Sequence, residues 1–313
     1  MATTRRRLTP VELPLAAEEF LTWLAVEKGR SLNTLVAYRR DLTQYTTWVG
    51  ERSLDSISEV DIEHYVAHQR RAVRAPASIA RAMVAVRMLH RFLAEEGQAP
   101  SDPAARIDLP RVPQGLPRPL GEDEVTSLID AVVGDEPVAR RDRAILELLY
   151  GTGMRISELC GLSISDLELD SGLARVLGKG GKERLVPVGR LAHQALDAWL
   201  SPSGRRHLEP ARWARRDDSD AVFLNQRGGR LSRQGAWTLV RQYGDRIGLG
   251  DRLSPHVLRH SCATHMLDHG ADVRVVQELL GHASVTTTQV YTKVSGERLR
   301  SAFESAHPRA VHR

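Results

Sequence analysis

Between Ala99 and Pro119 the chain carries Pro100, Pro103, Pro110, Pro113, Pro117 and Pro119. Proline lacks an amide hydrogen and clashes with the preceding helical turn, so neither a helix nor a central strand survives at that density. The polypeptide is therefore read as two folding units joined by a stiff, extended linker over residues 99–117, able to carry the chain around an object as well as to join packed units. The expected units are residues 12–98 and 118–313. In a chain of 313 residues each is long enough to bury its own core.

Both units read as mainly α. Leu35, Tyr38, Leu42, Tyr45 and Val49 recur at three- and four-residue steps behind a Ser31 cap. A second helix is expected over 78–96, with Ile79, Met83, Val86, Leu89 and Leu93 inward and Gly97 as its stop. Arg39 and Arg40 lie on the outer face of the first helix, and Arg81, Arg87 and Arg91 on one face of the second. The simplest reading of such arginines is a solvated surface. In the larger unit, helices are expected over 122–133, 142–150, 233–247, 255–269, 272–280 and 286–291, with an apolar stripe of Leu299, Ala302, Phe303 and Ala306 in the tail. Gly151 and Gly153 interrupt the second of these, and a new helix starts near Arg155. One stretch differs. Residues 173–177 and 183–188 flank Gly178-Lys179-Gly180-Gly181-Lys182 and read as a β-hairpin with a glycine-rich tip, Pro187 placing its second strand at a sheet edge.

Composition narrows the function classes. Cys160 and Cys262 cannot make a disulfide framework or a four-cysteine zinc site, and they suit a reducing compartment. No run of about 18 apolar residues suggests a membrane span, and the opening Met1 to Arg7 has no apolar segment behind it, so the expected location is the cytoplasm. A net charge of +5, from 44 basic against 39 acidic residues, is only a weak pointer to nucleic acid. The kind of basic residue is more telling. The only lysines are Lys28, Lys179, Lys182 and Lys293, and two of them sit in the hairpin tip.

The residues with the most chemistry gather late in the chain. His256 and Arg259, three apart on an expected helix, share a face and can converge on one anion. Leu280-Gly281-His282 ends the next helix with a glycine that frees His282, and Tyr291 follows a threonine-rich turn. His256, His260, His265, His269 and His282 raise a metal site, but Val257 stands where HExxH needs glutamate and Arg259 repels a cation. Gly178-Lys179 is no phosphate loop either, since Gly180 replaces the required Ser or Thr and a hairpin replaces the helix. No metal and no cofactor is expected.

Thr152-Gly153-Met154-Arg155-Ile156-Ser157-Glu158-Leu159, the hairpin lysine, His256-x-x-Arg259-His260, Leu280-Gly281-His282 and Tyr291 together resemble the ordered signature of the tyrosine site-specific recombinases. The run from Gly270 to Thr292 looks like their Xer branch. The resemblance implies a small helical DNA-clamp domain followed by a larger α-rich catalytic domain with a small antiparallel sheet. It also implies a catalytic pocket of Arg155, Lys179, His256, Arg259 and His282, with Tyr291 as nucleophile. Arg39, Arg40, Arg81, Arg87 and Arg91, and Arg233 at a helix start, become candidate contacts to double-stranded DNA. Further implications are a heterotetramer with a second Xer-type recombinase, a tail docked on a neighbouring subunit, and a cell-division DNA translocase as activator. A phage or mobile-element integrase, a type IB topoisomerase and a catalytically silent DNA-binding protein are the alternatives. Cys262 departs from the phenylalanine common in Xer sequences, which bears on packing rather than chemistry.

Overall fold

The computed structural model describes residues 13–72, 74–107, 118–178, 181, 183–281 and 293–310. Lys179, His282, Tyr291 and the helix expected over 286–291 lie outside the described residues. The chain divides into two compact units, Met1–Gly115 and Leu116–Arg313.

The first unit holds α1 (Leu15–Val26), α2 (Leu32–Val49), α3 (Glu59–Arg71) and α4 (Pro76–Glu95). Ser31 accepts a hydrogen bond from the Thr34 amide to open α2, and Ser58 and Asp61 exchange bonds to open α3. Phe20, Leu24, Tyr45, Tyr65, Met83 and Leu89 fill the core between them. Neither α1 nor α3 is anticipated above. The apolar stripe of α3 is short, Ile62, Tyr65 and Val66 among charged neighbours, and tertiary burial rather than pattern strength secures it. The start of the proline-rich stretch is not free chain: Ala104 and Ile107 are buried in this core, and the Arg87 guanidinium donates to both of their carbonyls.

The second unit contains α5 (Glu122–Asp130), α6 (Pro137–Thr152), α7 (Ile156–Gly161), β1 (Leu167–Glu168), β2 (Leu173–Leu177), β3 (Glu183–Pro187), α8 (Arg190–Leu200), α9 (Arg233–Arg246), α10 (Pro255–Asp268), α11 (Val273–Leu280) and α12 (Lys293–Ala306). The mainly α class with one small antiparallel sheet is thus the observed one. The sheet runs β1-β2-β3, with Leu173 opposite Pro187 and Leu177 opposite Glu183, so Pro187 lies on an edge strand. α6 is the central helix, buried over most of its last three turns. It begins at Pro137, five residues before the expected start, because proline's fixed φ suits the first helical position. Gly151 does not interrupt it; the helix ends at Gly153, which takes the left-handed conformation with φ +60°. Neither α8 nor the two-residue β1 is anticipated. Among the described residues no helix is long and apolar enough to cross a membrane.

The tail folds back on its own unit. Leu299, Phe303, Ala306 and Ala310 are buried, and fully burying a side chain such as Phe303 stabilises by roughly 1.5–3 kcal/mol. Arg309 pairs with the buried Glu147 carboxylate through both Nε (2.9 Å) and Nη2, and the Arg190 amide donates to the Ala310 carbonyl at 3.2 Å. Within this single chain Leu299, Phe303 and Ala306 of the stripe pack in cis, and docking of the tail on a neighbouring subunit, implied by the resemblance, concerns a second chain.

Candidate active site

The site is built around the turn from α6 to α7 and the C-terminal end of α11. Arg155 is the N-cap of α7. Its amide donates to Glu158 Oε2 at 2.7 Å, and its guanidinium Nη1 donates to Glu158 Oε1 at 2.8 Å, so a carboxylate one turn on fixes both backbone and side chain. Arg259 projects from α10 and is 8% exposed. Its Nη1 donates to the Gly153 carbonyl at 2.6 Å and its Nη2 to the Leu280 carbonyl. Arg155 Nη2 reaches the next carbonyl, Gly281, at 3.3 Å. Two guanidinium groups separated by more than 100 residues of chain thus meet at one helix end, where unpaired carbonyls and the negative end of the helix dipole favour cations.

Glycines at 153 and 281 make this approach possible. Both have positive φ, +60° and +64°. A Cβ at 153 would lie 2.8 Å from Leu280 Cδ2 and 3.2 Å from Cys262 Sγ, and one at 281 would lie 3.2 Å from Arg184. Left-handed backbone costs a non-glycine residue about 1–2 kcal/mol before any clash. Gly153→Ala is therefore expected to destabilise the second unit by about 2 kcal/mol, read as a lowered Tm in calorimetry, and to disturb the carbonyl that holds Arg259.

The electrostatics are those of an anion seat. Burial, and then the like charge of Arg155, push the Arg259 pKa down to about 10, which still leaves it a cation at neutral pH. Burial opposes ionisation of Glu158, but the hydrogen bonds and charges of Arg184 and Arg155 outweigh it and hold the carboxyl below its ordinary range. His256, three residues before Arg259 on α10, is exposed. The five histidines of the possible metal site do not converge as far as they are described: His265 Nδ1 meets the Tyr150 hydroxyl at 2.9 Å, His269 Nε2 lies 3.3 Å from Glu122, and His260 is exposed. Cys160 and Cys262 are buried, which raises their thiol pKa values to about 11 and about 12.

Comparison with known proteins decides what this arrangement is. The phage integrase family model matches residues 118–298, and that for the N-terminal SAM-like domain of phage integrases matches 17–97. The chain belongs to the phage integrase family. Among its relatives, the tyrosine recombinase XerD of Mycobacterium tuberculosis (strain H37Rv) is 48% identical over 312 residues, covering 95% of this chain and 99% of that protein. The tyrosine recombinase XerD of Halalkalibacterium halodurans is 44% identical over 297 residues, covering 94% and 97%. A λ integrase dimer bound to a COC′ core site shares the fold with a TM-score of 0.67 at 20% identity, covering 89% of this chain and 98% of that one. A XerH recombinase bound to palindromic difH DNA has a TM-score of 0.64 at 24% identity, covering 92% and 84%. This integrase-family chain is thus a site-specific tyrosine recombinase, an enzyme that cleaves and rejoins DNA.

Within the recombinase, the structure brings together Arg155 and Arg259 of the expected pocket; Lys179, His282 and Tyr291 lie outside the described residues, although His282 directly follows the Gly281 carbonyl that Arg155 holds. Four of the five expected DNA-contacting arginines of the first unit have intramolecular partners. Arg39 pairs with Glu18, Arg91 Nε with Glu95 at 2.8 Å, Arg81 with the buried Asp41 at 2.8 and 3.0 Å, and Arg87 with the carbonyls above. Arg81, Asp41 and the exposed Arg40 line a 230 Å³ cavity with Gln44, Arg74 and Ser78 at the start of α4. Arg233 is exposed as the first residue of α9, behind the Ser232 cap. Sequence reasoning gave no role to Arg74, which lines this cavity, nor to Glu158 or Arg184. The available signals were the three-residue step from Arg155 to Glu158, and an arginine one alternation from Val186 on the inward face of a strand.

Proposed function

We propose that the recombinase exchanges DNA strands through a 3′-phosphotyrosyl intermediate, with Tyr291 as nucleophile and Arg155, Lys179, His256, Arg259 and His282 as the catalytic pocket. The observation that carries this reading is the meeting of the Arg155 and Arg259 guanidinium groups at the α11 end, one residue before His282. Attack of the Tyr291 oxygen on a backbone phosphorus passes through a phosphorane with added charge on its non-bridging oxygens, and planar guanidinium forks match that geometry. His282 donates to the same phosphate. His256 accepts the phenol proton as the new P–O bond forms. The 5′-oxygen leaves as the old P–O bond breaks and takes a proton from Lys179, an amine able to lose one where arginine is not. Because the phosphotyrosyl ester keeps the bond energy, a 5′-hydroxyl of another strand reverses the step without ATP.

In the cell this chemistry resolves chromosome dimers and plasmid multimers in the cytoplasm. It does so in a heterotetramer with a second Xer-type recombinase, triggered by a cell-division DNA translocase. The XerD names of the relatives support that reading. Arg39, Arg40, Arg81, Arg87, Arg91 and Arg233 serve as contacts to duplex phosphates, with Arg74 added by the shared cavity.

The test is a suicide duplex nicked beside the recombination site. Wild type is expected to give a covalent protein–DNA adduct on a denaturing gel, with or without EDTA, and Tyr291→Phe none. An undiminished adduct from Tyr291→Phe would sink the assignment. Relaxation of supercoiled plasmid without exchange between duplexes would replace recombination by a topoisomerase activity.

A further inference from the structure

Arg184 lies on β3, beyond the hairpin tip, and is 6% exposed. A buried arginine is costly unless every charge and donor is matched, and this one is matched by functional parts of the pocket. Its Nη1 and Nη2 donate to Glu158 Oε1 and Oε2 at 2.7 and 2.9 Å, a bidentate fork on the carboxylate that also receives Arg155. Its Nε donates to the Leu279 carbonyl at 2.9 Å. Three successive carbonyls at the end of α11, those of Leu279, Leu280 and Gly281, therefore each accept from a different guanidinium, of Arg184, Arg259 and Arg155.

The charge balance gives Arg184 its purpose. With Glu158 facing Arg155 alone, the carboxylate would be that arginine's counter-ion and would compete with a phosphate for it. With Arg184 forked onto the same carboxylate, the cluster of Arg155, Arg184, Arg259 and Glu158 keeps two net positive charges in a largely buried setting. We propose that Arg184 is a positioning residue for strand cleavage: it neutralises Glu158, leaving the charge of Arg155 to the scissile phosphate, and ties the strand beyond Lys179 to the helix end that precedes His282. It acts through Glu158 and the α11 carbonyls and does not itself touch DNA. The inference rests on the proposed role of Arg155.

The experiment compares single-turnover cleavage of the suicide duplex by wild type, Arg184→Met, Arg184→Lys, and the double variant Arg184→Met with Glu158→Gln, alongside DNA affinity and thermal melts. Groups that orient primary ligands change activity by roughly 10- to 100-fold when removed, and Arg184→Met is expected to lose cleavage in that range with DNA affinity unchanged. Removing the stranded carboxylate should restore at least about tenfold to the double variant. A purely structural arginine would instead lower the melting temperature and leave cleavage per folded molecule unchanged, the double variant then recovering stability alone. Should Arg184→Met fail to fold, Arg184→Lys decides: it keeps the compensating charge and is expected to cleave within about tenfold of wild type. Equal inactivity of the folded double and single variants, wild-type cleavage by Arg184→Met, or a folded but inactive Arg184→Lys each overturns the proposal. Absence of an adduct from wild type would instead strike the phosphotyrosyl reading.

Discussion

Arg259→Lys is expected to lower the rate of strand cleavage by about 10²- to 10³-fold, the cost of losing one preorganised donor set at a developing oxyanion, while leaving DNA affinity within about threefold. The guanidinium spans two carbonyls, Gly153 and Leu280, from a position that is 8% exposed, and a planar fork still directs N–H groups toward a phosphate beside them. A lysine ammonium is a point charge that cannot hold both carbonyls and keep that direction. Charge loss adds to misplacement. Burial and Arg155 already push the arginine down to about 10, and an amine, which starts near 10.4, is driven by the same forces toward neutrality in the working range. The sign follows: cleavage by Arg259→Lys relative to wild type should rise as pH is lowered toward 6, because protonation restores the cation while every titration common to both enzymes cancels. A pH series of single-turnover rates for the two enzymes is the check. Wild-type cleavage by Arg259→Lys, or residual activity that falls with acid in parallel with wild type, removes Arg259 from the catalytic pocket.

The same residues show how far the sequence is legible. Arg155 and Arg259 stand out because each sits in a short run with other functional side chains, and glycines at 153 and 281 announce the backbone turns that bring them together. The hairpin is readable from its alternation and its glycine-rich tip, and α2 and α4 from regular apolar steps behind recognisable starts. Glu158 and Arg184 are not readable in this way. In sequence a charged residue reads as surface, and only the fold shows that these two are 4% and 6% exposed and satisfied by each other. α8 and α3 escape for a different reason. The apolar stripe of α3 is short, that of α8, Ala192, Ala195, Leu196 and Trp199, spans only 11 residues, and burial against α4 and α6 respectively is what stabilises them. The tail marks a third limit, because an apolar stripe states that something must cover it but not which chain does so.

Acidification is expected to destabilise both units between about pH 6.5 and pH 4, and one histidine in each sets the slope. His307, in the tail, is pushed down to about 3 by burial, aided by His265, Arg309 and His269 nearby. His90, on α4, is pushed down to about 4 by burial alone. The geometry explains why neither accepts a second proton readily. His307 Nδ1 accepts from the Arg309 amide at 3.2 Å, and burial outweighs a hydrogen bond to the Tyr150 backbone that favours the charged ring, while His90 Nε2 meets the Tyr45 hydroxyl at 2.6 Å and its Nδ1 has no hydrogen-bond partner. An unfolded chain titrates both near 6.5. Below that pH the unfolded state binds more protons than the folded one, so stability falls as pH falls, by up to about 1.4 kcal/mol per pH unit for each imidazole; above about 6.5 the effect is absent. His307→Phe keeps a ring to stack on Phe303 and face Tyr150 but cannot titrate. Between pH 6.5 and 5 the second unit of wild type should lose about 2 kcal/mol that the variant retains, or roughly 4–8 °C in Tm. Calorimetric melts across that range provide the measurement, and identical pH slopes for wild type and His307→Phe would mean that the tail histidine is not the group that titrates on unfolding.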